Sequence, residues 1–255
     1  MSATISLTLR APLDRRVDAE GLTPDRCASL TEAQIAALPI LVGGRAAAVG
    51  DLFDVRGSSA ATLEFEGDLS RVDSLGAGMI SGEMVVRGDA GDDAGRAMAG
   101  GVLRIRGNAG HRLGGPAPGA PKGMTGGEIV VDGHAGDDAA ARVRRGLVVV
   151  GGSTGASAGR AMIAGTLVVF GAVGDHPAEG NKRGSLIALG AVRVPASYRY
   201  ACTYEPPFVR VLMTHLARRH GLVVDPRVRD GHYKRYCGDA GVPGKGEILT
   251  LVQGA

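Results

Sequence analysis

Short runs with alternate apolar positions recur through the middle of this chain: Met84/Val86, Leu103/Ile105, Ile129/Val131, Val148/Val150 and Leu167/Val169. A period of two predicts brief strands with one buried face. Each run starts after a glycine, Gly82, Gly101, Gly127, Gly146 or Gly165, at spacings of 19, 26, 19 and 19 residues. The 26 becomes 19 when a seven-residue insertion, Gly115 to Pro121, is removed. Six residues after each lie Gly88, Gly107, Gly133, Gly152 and Gly171, and nine after lie Gly91, Gly110, Gly136, Gly155 and Gly174. Tight bends, with a positive φ or close backbone approach, account for glycines at such corners. A degenerate first copy runs from Ala61 through Leu63, Phe65 and Gly67, and a last copy opens at Ser185 with Ile187 and Leu189, giving seven copies. Met79, Met98, Met124, Val143 and Met162 stand three residues before each new glycine, and a stripe recurring once per copy predicts core filler.

A unit that cannot bury its own apolar side must stack on its neighbours. The expected fold is therefore all-β dominated: a right-handed parallel β-helix of about seven 19-residue coils. An 18-residue hexapeptide pattern or a GGxGxD repeat would point elsewhere, and neither occurs. The third strand position, Val85, Val130, Val149 and Val168, is apolar although it faces outward, so the tail or a partner is expected to cover it. Residues 1–58 are expected to form a small α/β cap, with Ile5 to Leu9 as a strand and Thr31 to Gln34 as a capping box opening a helix that stops before Pro39. Residues 59–190 form the solenoid. Residues 191–255 form a basic, aromatic tail in which Phe208 to His220 makes an amphipathic helix through Val209, Leu212, Met213 and Leu216, folding back on the solenoid.

Composition sharpens the picture. The 255 residues include 42 glycines, against a usual share of roughly 7%, while 44% apolar content and 22% charge exclude a disordered chain. The tail holds all five tyrosines and ten basic against five acidic residues, whereas residues 1–190 hold 19 basic and 21 acidic. No recognisable nucleic-acid module accompanies that basic tail, so no nucleic acid is expected as partner. No apolar run approaches a membrane span and Met1 to Arg10 lacks a signal-peptide layout; a cytoplasmic, non-membrane protein is expected. Only four of the 29 basic residues are lysine, which leans towards a mesophilic source. Cys27, Cys202 and Cys237 follow no disulfide or metal spacing and are expected to be buried thiols.

Catalytic motifs are missing: HxH, HExxH, GxSxG and GxGxxG do not occur in the required contexts, and Gly244-Lys245-Gly246 lacks the rest of a phosphate loop. Asp92-Asp93, His111-Arg112 and Asp137-Asp138 share one corner of three successive copies; an acid/base ladder between rungs about 4.8 Å apart explains them better than a metal, and no metal is expected in this chain. Five residues before new copies stand Arg96, Lys122 and Arg160, with Arg142 one position from its slot and Arg144, Arg145, Lys182 and Arg183 close by. Stacking aligns them into an outward-pointing basic ridge, which is either a solvated face or a track for a polyanion.

The repeated G-x-h-x-h-x-G-x-A-G of Gly101 to Gly110 and Gly127 to Gly136, the segment Gly95 to Gly101, and the ending Arg235-Tyr236-Cys237-Gly238-Asp239 to Gly244-Lys245-Gly246-Glu247-Ile248-Leu249 resemble the C subunit of formylmethanofuran dehydrogenase. From cap to tail the chain resembles more closely the C subunit of the formyltransferase/hydrolase complex of methylotrophs. The repeat itself is shared with the C-terminal domain of the glutamate synthase large subunit, so it speaks to fold. The resemblance implies a non-catalytic component of a complex with three others: an amidohydrolase-like A subunit, a B subunit and a formyltransferase D subunit. That complex serves one-carbon metabolism and formaldehyde oxidation, moving a formyl group from formyl-tetrahydromethanopterin to methylofuran and hydrolysing it to formate. Methylofuran carries a polyglutamate tail, for which Arg96, Lys122, Arg142, Arg145, Arg160, Lys182 and Arg183 become the expected binding residues. The alternatives are the C subunit of a molybdenum or tungsten formylmethanofuran dehydrogenase, or a scaffold without ligand.

Overall fold

The computed structural model describes residues 4–242 and 244–252. The N-terminal part contains β1 (Thr4–Leu9), β2 (Val17–Asp18), α1 (Pro24–Cys27), α2 (Glu32–Ala36), β3 (Pro39–Val42), β4 (Arg45–Ala48), α3 (Val49–Leu52) and β5 (Phe53–Arg56). The repeats supply β6 (Thr62–Glu66), β7 (Val72–Asp73), β8 (Glu83–Val86), β9 (Val102–Ile105), β10 (Glu128–Val131), β11 (Leu147–Val150), β12 (Thr166–Val169) and β13 (Ser185–Ala188). The tail contains β14 (Arg199–Tyr204), α4 (Pro207–His220), α5 (Pro226–Asp230), β15 (Tyr233–Cys237) and β16 (Glu247–Leu251).

The fold is dominated by a 12-stranded sheet in the order β14-β15-β16-β13-β12-β11-β10-β9-β8-β6-β1-β5, parallel from β16 through β1. Each strand pairs with the equivalent strand of the next repeat, so Met84, Leu103, Ile129, Val148, Leu167 and Leu186 lie in one register row. A second column of parallel bridges runs Leu69, Ala90, Ala109, Ala135, Thr154, Val173. A third is made of backbone bonds such as Asp93 N–H to His111 O, Arg112 to Asp137 O and Asp138 to Ala156 O, at 2.8 to 2.9 Å. The expected inward pairs and the methionine stripe are all fully buried. The last copy is shifted by one residue from the sequence expectation: Leu186 and Ala188 face the core, and Ile187 and Leu189 lie on the outer face. A one-residue slip exchanges the two faces of a strand, and a run apolar at every position gives no clue to which is inner.

Two kinds of glycine corner are present. Gly101 has a φ of +78°, which a side chain resists. Gly133 has no such φ, but a Cβ there would lie 2.5 Å from Asn108 Oδ1 and 2.7 Å from Gly107 O in the preceding repeat. Thr31 caps α2 as expected, its hydroxyl accepting from Gln34 N–H while the Gln34 side chain accepts from Thr31 N–H.

At the N-terminal end β1 continues the stack in parallel and β5 turns back antiparallel. At the other end β16 adds in parallel to β13, then β15 and β14 turn back. The tail covers most of the apolar outer stripe: Val209, Met213 and Leu216 of α4, with Tyr233 and Leu249, bury Val130, Val149, Val168 and Ile187, while Val85 lies outside this cluster and is half-buried. Where the stripe is interrupted, Arg104 occupies the outward place on β9. Its guanidinium donates to Asp132 at 2.7 Å and to the carbonyl of His220, the last residue of α4, at 2.7 Å. Burial pulls its pKa below the usual arginine value, with Asp132 opposing. Cys27 is buried, which pushes its thiol up to about 11, but Cys202 is exposed and Cys237 half-buried, because β14 is the uncovered edge of the sheet.

Candidate basic cleft

Two ladders of side chains line the corners beside this cleft. Asp92 Oδ1 accepts from His111 N–H at 2.9 Å, His111 Nδ1 from Asp137 N–H at 3.0 Å, and Asp137 Oδ1 from Ala156 N–H at 2.7 Å. The neighbouring residues pair charge with charge: Arg112 forks onto Asp93 at 2.9 and 2.7 Å, and Arg160 donates to Asp138 at 2.7 Å. Of the expected acid/base ladder only the Asp93–Arg112 step is present; Asp138 pairs instead with Arg160, outside the three pairs, and the first residue of each pair accepts from a backbone N–H of the next repeat. Hydrogen bonding to Asp93, against some burial, raises the Arg112 pKa, and Asp138 does the same for Arg160, so both guanidiniums are fixed charges.

Beyond them the insertion Pro116 to Ala120 overhangs a cleft of about 630 Å³, whose other walls are Asp93, Arg96, Arg112, Arg142 and Arg160. The register explains the grouping. Arg142 N–H donates to Arg160 O and Gly123 N–H to Arg142 O, so these turns sit on consecutive rungs. Three ridge residues expected from sequence therefore converge: Arg96, Arg142 and Arg160. Arg112 joins them; sequence placed it in the ladder only, although it stands one 19-residue repeat after Asp93, which lies three residues before Arg96. Lys122, Arg145, Lys182 and Arg183 are exposed but do not line the cleft.

Arg96 does not point outward as expected. It is 9% exposed and pairs at 2.9 Å with Glu20 of the N-terminal part, which folds over that end of the ridge. Arg142 is exposed and has no ion pair among the described residues. The lining offers guanidiniums, one carboxylate and backbone, with no hydroxyl, thiol or imidazole. Such a lining can hold an anionic ligand through forked, charge-assisted hydrogen bonds. Gly244-Lys245-Gly246 plays a different part: Cβ atoms at 244 and 246 would lie 2.6 Å from Asn181 O and 2.5 Å from the Asn181 side chain, so these glycines let the tail cross the last repeat closely.

Fold and cleft together define a stacked-repeat protein that gathers positive charge along one side. No family model matches the chain. One curated relative, the C subunit of the formyltransferase/hydrolase complex of Methylorubrum extorquens, is 36% identical over 86 residues, which covers 34% of this chain and 32% of that relative. The crystal structure of the formyltransferase/hydrolase complex of the same organism, in complex with methylofuran, contains a chain that superimposes with a TM-score of 0.83 at 35% identity. That match covers 97% of this chain and 100% of the other. The chain belongs to the family of C subunits of formyltransferase/hydrolase complexes.

Proposed function

We propose that this chain is a non-catalytic component of a cytoplasmic complex that transfers a formyl group from formyl-tetrahydromethanopterin to the amine of methylofuran and then hydrolyses the formamide to formate. Its partners in that reading are an amidohydrolase-like A subunit, a B subunit and a formyltransferase D subunit. The observation that carries the proposal is the full-length likeness, at 35% identity, to a chain of a complex that holds methylofuran. The repeats are read as a right-handed β-helix of about seven coils spanning residues 59–190, with residues 1–58 and 191–255 as its two end pieces. No helix among the described residues is long and apolar enough to cross a membrane.

Within the complex Arg142 in this cleft, with Lys122, Arg145, Lys182 and Arg183 along the stack, anchors the carboxylate tail of the carrier and leaves its amine end free to travel between sites on the other polypeptides, while Arg96, Arg112 and Arg160 wall the cleft already paired with Glu20, Asp93 and Asp138. Exposed carboxylate–guanidinium pairs contribute roughly 0.2–1 kcal/mol each, and several along one chain act together through high effective concentration. Native purification followed by mass spectrometry tests the assembly. Three companion polypeptides and a polyglutamylated furan are expected; a molybdenum- or tungsten-pterin polypeptide in their place, or the chain alone, overturns it.

A further inference from the structure

Outside the cleft, one side chain of the sheet and two of α4 meet at the start of β10, a central strand. Glu128, at the start of β10, receives His215 Nε2 on Oε1 at 2.9 Å and His220 Nε2 on Oε2 at 2.6 Å. The two rings cross edge to face at 77° with centroids 5.8 Å apart, and one donor atom from each residue lies within 4.8 Å of the others. Among the described residues this is the one group of three potential ligands so arranged. Separations of 87 and 92 residues hid it from any search by spacing.

We propose that Glu128, His215 and His220 bind one zinc-class divalent ion that fastens α4 to the sheet. Imidazole nitrogen and carboxylate oxygen suit zinc or its neighbours in the first transition row. A tetrahedral ion with ligands at about 2.1 Å keeps them about 3.4 Å apart, so the imidazole–carboxylate contacts of 2.9 and 2.6 Å open slightly to admit it. His220 ends α4, where the carbonyl dipoles favour a cation. Its position is fixed from outside the site: Arg104 donates to its carbonyl and is itself held by Asp132, and its side chain is only 4% exposed. His215, at 42%, leaves one side of the ion open to solvent. Beyond it a groove of about 510 Å³ carries Glu83 and Arg219 beside Glu128, and Arg219 favours hydroxide or a carboxylate as the fourth ligand.

The test uses the full chain in its complex, stripped with a chelator and titrated with Co2+, then with Zn2+ in competition. The expected result is an uptake that includes one ion per copy of this chain, with intense visible cobalt absorption and a melting temperature that rises with metal concentration. Because the complex can hold other metals, His215→Ala is run beside it: this half-exposed ligand can be removed without unfolding α4, which far-UV circular dichroism verifies. In that variant and in Glu128→Gln, one equivalent disappears, or its affinity falls by more than the roughly 10–100-fold that loss of an outer-shell partner costs. The same stoichiometry and affinity in wild type and both variants overturns the proposal and leaves the trio as a hydrogen-bonded clasp.

Discussion

Asp89, Asn108, His134 and Ser153 share neither charge nor size, yet each does the same work. Asp89 Oδ1 accepts from Asn108 N–H, Asn108 Oδ1 from His134 N–H, His134 Nδ1 from Ser153 N–H, and Ser153 Oγ from Ala172 N–H, all at 2.7 to 3.0 Å. What the position requires is a short side chain with an acceptor two or three bonds from Cα, following a corner glycine. Conventional residue similarity does not register that requirement, so of the two columns that accept from backbone N–H only the one through Asp92, His111 and Asp137 stood out in the sequence, and as charge. The glycines before the ladder residues were legible as corners, but their reasons differ. At Gly133 the constraint is the preceding repeat's backbone, so Gly133→Val should overpack the corner and destabilise the protein by about 1–3 kcal/mol, read as a lower melting temperature. An unchanged melting temperature would mean that the repeats are spaced further apart here than the contact distances require.

The elements of the tail were partly legible. The helical spacing of Val209, Met213 and Leu216 gave α4, and the outward valines gave a surface needing cover. That each satisfies the other is a tertiary fact. It removes the reason to expect exposed apolar surface along the stripe from Val130 to Ile187. The register of β13 and the insertion of β16 beside it could not be read, because Leu186 to Leu189 is apolar on both faces. Asp239 locks this arrangement: its carboxylate accepts from Gly180 N–H at 2.7 Å and Gly241 N–H at 2.9 Å. Burial raises its pKa, but these two bonds, with Ser197, outweigh burial and leave it below the usual carboxylate value. A carboxylate depressed in the folded state stabilises fully above its unfolded pKa, near 3.9, and loses that contribution as pH falls through the lower folded value. Hydrogen exchange at Gly180 and Gly241 should therefore accelerate below about pH 4 before the amides of β10 to β12 respond, and Asp239→Ala should show the fast rate already at neutral pH. Equal rates for the two groups of amides across the acid range would place the lock elsewhere.

On the scale of the whole molecule, the repeat fixes the direction of stacking and gathers arginines that are 16 to 64 residues apart into one cleft, which is why the ridge was partly readable as Arg96, Arg142 and Arg160. Sequence could not show that the N-terminal part returns over the stack and neutralises Arg96 through Glu20, because that contact depends on how the end piece folds back. The charge available to a ligand therefore lies further along, at Arg142 in the cleft and at Lys122, exposed at the end of the overhanging insertion. Reversing both leaves the Arg112–Asp93 and Arg160–Asp138 pairs intact, so the stack should remain folded. Attraction between exposed charges weakens within a Debye length of about 8 Å at physiological salt, so a tail held this way releases more readily as salt rises. The most direct measurement is the molar ratio of methylofuran to this chain in the purified complex, before and after a high-salt wash, for wild type and the Lys122→Glu/Arg142→Glu variant. Anchoring of the carrier by this chain predicts near-stoichiometric methylofuran in the wild type and depletion in the variant, with the loss growing after the wash; an undiminished ratio in a correctly assembled variant complex would contradict it.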